Sequence, residues 1–241
     1  MILNVHAGHN PDGRIACGAI GLIKESTEAR NVKNEVIRQL QLLGHTVYDC
    51  TCDNGSSQAD VLSKIVAKCN QHKVDLDVSI HFNCGAKDPA GNGKSTGTEV
   101  YIYNSGSKTA EKYAAQVSTA IAGLGFKNRG VKVNPSLYVL RKTNAQAILI
   151  ECCFVDDADD IARYDAASMA TAIVKGLTGQ TVREQPVETD SEAVDAKAET
   201  VTGDPDTIYR VQVGAFRNKA NAEKIKADLA AMGVSAFITK A

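Results

Sequence analysis

The 241-residue chain has no apolar run approaching the roughly 18 residues that a membrane helix needs, so no membrane insertion is expected. Its start, Met1-Ile2-Leu3-Asn4-Val5-His6, has neither a basic region nor a long apolar stretch behind it. It reads as a first strand rather than a secretory leader, and the expectation is synthesis in the cytoplasm. Charge of one sign is not in excess either: 27 basic and 28 acidic residues leave a net −1. That argues against a protein held to phosphates all over its surface, and no nucleic acid is expected as partner. No C-x-x-C pair occurs among the seven cysteines, which excludes a thiolate zinc cluster or a thioredoxin-type site. The odd count, in a chain too large to need disulfide staples, reads as free thiols used for packing.

What is present is ordinary for a globular protein, with 44% hydrophobic and 23% charged residues, but it is unevenly spread. Residues 1–179 carry a net +1, residues 180–206 a net −6 and residues 207–241 a net +4. The first segment alternates strand and helix patterns. Short apolar strands are expected at Met1–His6, Thr46–Asp49, Leu76–Phe82, Thr98–Tyr103, Leu137–Leu140 and Ala147–Cys152. Helices are expected over residues 26–43, 57–72, 108–124 and 159–177, the first stopped by Gly44. Strands separated by helices of this length imply an α/β fold, a mostly parallel twisted sheet with helices on both faces. The stretch 180–206 has no aromatic residue and no apolar period and reads as an acidic linker. Residues 207–241 resume as one small βαβ module, below the size at which a domain usually folds alone.

Groups that do chemistry in a parallel sheet gather where strands end at their carboxyl side. His9 lies just past the first strand, His81 ends the run Val78-Ser79-Ile80, and Glu151 ends the run Ala147-Ile148-Leu149-Ile150. A carboxylate closing a buried strand is costly unless something uses it. Glu25 stands at the first turn of the first long helix and can point to the same edge. Two histidines and one glutamate form the donor set of a zinc site with an open fourth position, and the remaining carboxylate can serve as general base. No short zinc motif such as H-E-x-x-H is present.

These residues also carry a resemblance. Gly8-His9, Glu25, Ser79-Ile80-His81-Phe82-Asn83 and Ile148-Leu149-Ile150-Glu151-x-x-Phe154 resemble the zinc-dependent N-acetylmuramoyl-L-alanine amidases of the amidase-3 family over about residues 1–178. The resemblance implies one Zn²⁺ held by His9, Glu25 and His81, with Glu151 as catalytic base. It implies hydrolysis of the amide between N-acetylmuramic acid and L-alanine in peptidoglycan. The family's ligand glutamate precedes the helix-ending glycine by about 19 residues, which selects Glu25 over Glu28, 19 and 16 residues before Gly44. His6 and Asn10 stand where the family usually has Asp and Gly, and Cys153 where Gly often precedes the Phe. Asn83 is expected to orient His81 or to meet substrate, and His6 to stand behind a ligand. In the tail, Tyr209-Arg210-Val211-Gln212-Val213-Gly214-Ala215-Phe216 resembles the start of a SPOR domain, which implies binding to peptidoglycan glycan strands. Tyr209, Gln212 and Phe216 are the candidate wall contacts. Only the first half of such a module is legible, so pairing of two tails into a homodimer is the expectation attached to it. Endolysin-like or autolysin-like action on the wall follows, after release through a holin pore or on lysis. The alternative is an inactive amidase-like protein that only binds the wall.

Other features have plain readings. His45 reads as an exposed turn residue and His72 as a helix-end residue favoured by the dipole. The acidic cluster Asp156, Asp157, Asp159, Asp160 reads as helix-start chemistry, without EF-hand spacing. Lys87–Lys94 reads as a flexible loop flanking the substrate groove.

Overall fold

The computed structural model describes residues 1–182 together with Glu223 and Lys226, and the chain divides into two compact units, Met1–Gln185 and Pro186–Ala241. In the second unit Glu223 and Lys226 are helical and exposed. The candidate wall contacts Tyr209, Gln212 and Phe216 and most of the expected linker lie outside the described residues.

The first unit runs β1 (Ile2–Ala7), α1 (Glu25–Leu42), β2 (Thr46–Asp49), α2 (Gln58–Cys69), β3 (Leu76–Asn83), β4 (Thr98–Ile102), α3 (Lys108–Ala122), β5 (Asn128–Val133), α4 (Tyr138–Lys142), β6 (Ala147–Phe154), α5 (Ala158–Ile161) and α6 (Ala166–Thr178). The strands form one six-stranded sheet in the order β2-β1-β3-β6-β4-β5. All neighbours are parallel except β4 and β6. This is the α/β, mostly parallel architecture the alternation implied.

Local sequence explains most boundaries. Along α1, Ala29, Val32, Val36 and Leu40 recur at helical spacing and are fully buried, and Gly44 at φ 80° ends the run. The Ser57 side chain accepts from the Asp60 amide to start α2, and Asp165 accepts from Ser168 to start α6.

Three expectations fail, each for a physical reason. Residues 137–140 are not a strand: Val139 and Leu140 are buried as neighbours in the single turn α4, against α2 and β6. Alternation over four residues cannot separate those two states. The strand β5 was not expected at all, because its polar start Asn128-Arg129-Gly130 offers no apolar run at this sheet edge. The expected last helix is two helices, since Asp165 begins a new cap after α5 has closed.

Helices cover both faces. One core joins α1, α3 and α6 to Leu3, Val5, Leu76, Val78, Ile80, Val100, Ile102, Ile148 and Ile150. A smaller core joins α2 and α4 to Ala147 and Leu149 on the other face. All seven cysteines are free thiols; five are buried, Cys17 is half-buried and Cys84 is exposed. No helix among the described residues is long and apolar enough to cross a membrane.

Candidate metal centre

Strand alternation builds the site. Because Val78 and Ile80 face the larger core, Ser79 and His81 must face the other way, and the same parity turns His6, Glu151, Glu99 and Tyr101 to that side. Register then lines three of them up: His81 pairs with Glu151 across β3 and β6, and Glu151 with Glu99 across β6 and β4. The antiparallel run of β4 brings its start, rather than its end, to the edge where β3 and β6 finish.

His9 and Glu25 reach this edge from the segment between β1 and α1. His9 holds a left-handed backbone at φ 63°, unusual for a non-glycine residue. Two glycines make room for the imidazoles. A Cβ on Gly8 would overlap the His81 ring, and one on Gly18 would come within 2.6 Å of Glu25 Oε2 and 2.8 Å of the His9 ring. The Glu25 carboxylate is fixed by the Ala19 amide at 2.8 Å and the Phe82 amide at 3.2 Å. Its Oε1 meets His81 Nδ1 at 3.0 Å and His9 Nε2 at 3.2 Å. One ligand atom from each of His9, Glu25 and His81 falls within 4.8 Å of the others, and two imidazoles with one carboxylate are the donor set of an open zinc site. The residues present therefore fit a single divalent metal ion. Burial alone would raise the Glu25 pKa, but the hydrogen bonds from His81 and His9 overcome it and hold the carboxyl below its usual range. Burial lowers the His81 pKa against the opposing pull of Glu25, and this favours the neutral imidazole, the form that can ligate. Glu28 is engaged elsewhere, accepting from Tyr164 Oη at 2.8 Å and from Asn31.

Glu151 stands beside the trio with its Oε2 sealed from solvent and without a hydrogen-bond partner. Burial, then the negative charges of Glu25 and Glu99, push its pKa up to about 8. A carboxyl group that exchanges its proton near neutral pH and is left unpaired at this place is poised for use rather than for stability.

The other expected residues fall as follows. Asn83 donates to Glu99 Oε1 at 2.8 Å rather than to His81. His6 is buried, with Nδ1 3.5 Å from Ser79 Oγ; burial and then His81 push its pKa down to about 3. It lines a small cavity with His9 and His81 but is not among the converging donors. His45 is half-buried rather than exposed, with Nδ1 2.9 Å from the amino terminus. His72 stacks on Tyr48 with ring centroids 3.7 Å apart.

The acidic cluster does more than start a helix. Asp157 caps α5 and also accepts from the Thr96 amide. Asp156 accepts from the amides of Gly85, Ala86 and Lys87, Asp159 from those of Asn92, Gly93 and Lys94, and Asp160 from that of Gly97. The loop Lys87–Lys94, expected to be flexible, thus lies within a segment, 85–97, that is tied down by four carboxylates. Sequence reasoning also missed Glu99 and its partners Tyr101, Arg129 and Lys132; the alternation of Glu99 and Tyr101 against Val100 and Ile102 was the available signal.

Residues 3–179 match the family model described as N-acetylmuramoyl-L-alanine amidase, and residues 205–241 match the SPOR domain. An uncharacterised protein of Clostridium perfringens strain 13 is 35% identical over 78% of this chain and 53% of its own length. The N-acetylmuramoyl-L-alanine amidase CwlM of Bacillus licheniformis is 28% identical over 76% of this chain and 64% of its own. Against the first two curated relatives it matches, the chain spans about half their length, 53% and 46%. Among solved structures, the catalytic domain of the CD27L endolysin targeting Clostridia Difficile superposes with a TM-score of 0.66 at 24% identity, covering 76% of this chain and 99% of that one, which shows the shared fold. With a family model spanning most of its length and the donor residues gathered at one sheet edge, the chain belongs to the N-acetylmuramoyl-L-alanine amidase family.

Proposed function

We propose that the chain is a peptidoglycan hydrolase that cleaves the amide between N-acetylmuramic acid and L-alanine, with one Zn²⁺ held by His9, Glu25 and His81. The observation that carries this reading is the convergence of those three donors beside the unpartnered Glu151 carboxylate. Zn²⁺ in that place would supply Lewis-acid polarisation of the scissile carbonyl and acidify the attacking water. Glu151 takes the proton from that water and returns it to the leaving amine of L-alanine, so one carboxyl acts first as base and then as acid. Glu25, fixed by two backbone amides, holds the histidines in position, and the missing Cβ at Gly8 and Gly18 leaves room for both imidazoles. The SPOR-like residues 205–241 support targeting of this activity to glycan strands, and action at the cell wall in the manner of endolysins and autolysins.

The test is digestion of purified sacculi. New alanine amino groups should appear without new reducing sugar ends, a chelator should stop the release, and Zn²⁺ should restore it. New reducing ends would make the protein a glycosidase, and an inert protein would make it a wall binder only.

A further inference from the structure

The sheet edge beyond Glu151 carries a second set of charges that the proposed hydrolysis does not use. Glu99, directly across from Glu151, has a side chain only 2% exposed, and both its oxygens are saturated. Oε1 accepts from Asn83 at 2.8 Å and from Tyr101 Oη at 2.7 Å; Oε2 meets Arg129 Nε and Lys132 Nζ, each at 2.5 Å. Residues 129 and 132 are an odd number of positions apart, so a regular strand would send them to opposite faces. A bulge corrects this. Thr98 pairs with Asn128 but Val100 with Val131, so Arg129 and Gly130 together stand opposite Glu99, and Gly130 takes φ 78°. The chain spends a bulge to aim two cations at one carboxylate.

One negative charge facing two positive ones leaves a surplus cation in a half-buried place, which is costly unless an anion completes it. Arg129 is built to receive one. It touches Glu99 through Nε alone, and among the described residues neither of its Nη atoms has a hydrogen-bond partner. Its guanidinium lies 5.1 Å from the Phe154 ring centroid, so it is held between a buried carboxylate and an aromatic face with its forked edge unused. That fork matches a carboxylate bidentately.

We propose that Arg129, with Lys132 beside it, is the subsite for a carboxylate on the peptide side of the substrate. This rests on the peptidoglycan reading above and adds its polarity. The lactyl carboxyl of N-acetylmuramic acid is consumed in the scissile amide, so carboxylates remain only on the peptide. The peptide therefore lies toward β4 and β5, and the glycan lies on the other side of the metal trio.

The test compares hydrolysis by the full chain of N-acetylmuramoyl-L-alanyl-D-glutamate and of its diamide, in which both glutamate carboxylates are blocked. The acid should be preferred in kcat/KM by about 10-fold or more, the worth of a charge-assisted contact. Arg129→Gln should collapse that ratio through the KM of the acid. Because it removes one of the two cations on the buried Glu99 and leaves Lys132 alone on that carboxylate, the double variant Glu99→Gln/Arg129→Gln is measured beside it, and the same collapse is expected. A wild-type enzyme indifferent to the amidation, or a double variant that keeps the preference, overturns the subsite while leaving the amidase reading intact. Cleavage of neither compound overturns the amidase reading and the subsite with it.

Discussion

Glu151 and Glu99 face each other across β6 and β4, and environment gives them opposite characters. Burial acts on both, but only Glu99 has Lys132, Arg129 and Tyr101 to hydrogen-bond its charged form, which brings its pKa down to about 2 from the ordinary 4.5. Two outcomes follow at this scale. Glu151→Gln, nearly isosteric, should cut turnover about 10²- to 10⁴-fold in a protein that unfolds no earlier than wild type, since a buried unpartnered acid contributes nothing to stability. Turnover on sacculi beside a thermal melt checks both halves. Glu99 works in the other direction. A depressed folded pKa means its stabilisation is complete above about pH 4.5 and is lost as pH falls toward 2. The stability gap between wild type and Glu99→Gln should be full at pH 7 and should close toward pH 2, read by denaturant unfolding at a series of pH values. A gap independent of pH would show that Glu99 is held by packing and not by its ion pairs.

At the scale of elements, two glycines separate crowding from strain. Gly176 lies in α6 where α3 crosses it, and a Cβ there would sit 2.5 Å from Val117 Cα. Helix propensity alone favours alanine by roughly 1 kcal/mol. Forcing the α3 backbone away costs about 1–3 kcal/mol, so Gly176→Ala should be net destabilising. Gly130, in the β5 bulge, has open space around it but a left-handed φ of 78°. Gly130→Ala should cost about 1–2 kcal/mol by strain alone, and Gly130→Asn less, because asparagine tolerates that conformation. Asparagine at Gly176 should be worse than alanine. Chemical unfolding of the four variants checks the pattern, and a destabilised Gly130→Asn equal to Gly130→Ala would contradict it.

At the scale of the whole molecule, catalysis and targeting are expected to divide along the chain. The compact unit Met1–Gln185 contains every residue of the metal centre, whereas residues 207–241 carry a net +4. A protein ending at Gln185 should hydrolyse a soluble muramyl peptide as fast as the full chain but bind sacculi more weakly. The difference should shrink as salt rises, since surface charge attraction is screened beyond about 8–10 Å at 0.1–0.15 M ionic strength. Co-sedimentation with sacculi at two salt concentrations measures it. Equal binding of both proteins would place wall recognition in the catalytic unit.

Much of this was legible from the sequence. Apolar runs such as Ala147–Ile150 and periodic faces such as Ala29–Leu40 report burial directly, because side-chain period follows backbone geometry; they determined the α/β class, five of the six strands to within two residues of their ends, and His9, Glu25, His81 and Glu151 as candidates. What the sequence could not hold was anything set by register between distant strands. That His81, Glu151 and Glu99 form one row is decided by pairings 52 to 70 residues apart along the chain, and no local pattern encodes those. The same holds for the bulge opposite Glu99, which turns an unremarkable Asn-Arg-Gly-Val-Lys into two cations on one carboxylate, and for the carboxylates of 156–160 that tie down the loop after His81. Composition and period determine which face a side chain takes; only the assembled sheet decides which charge it meets there.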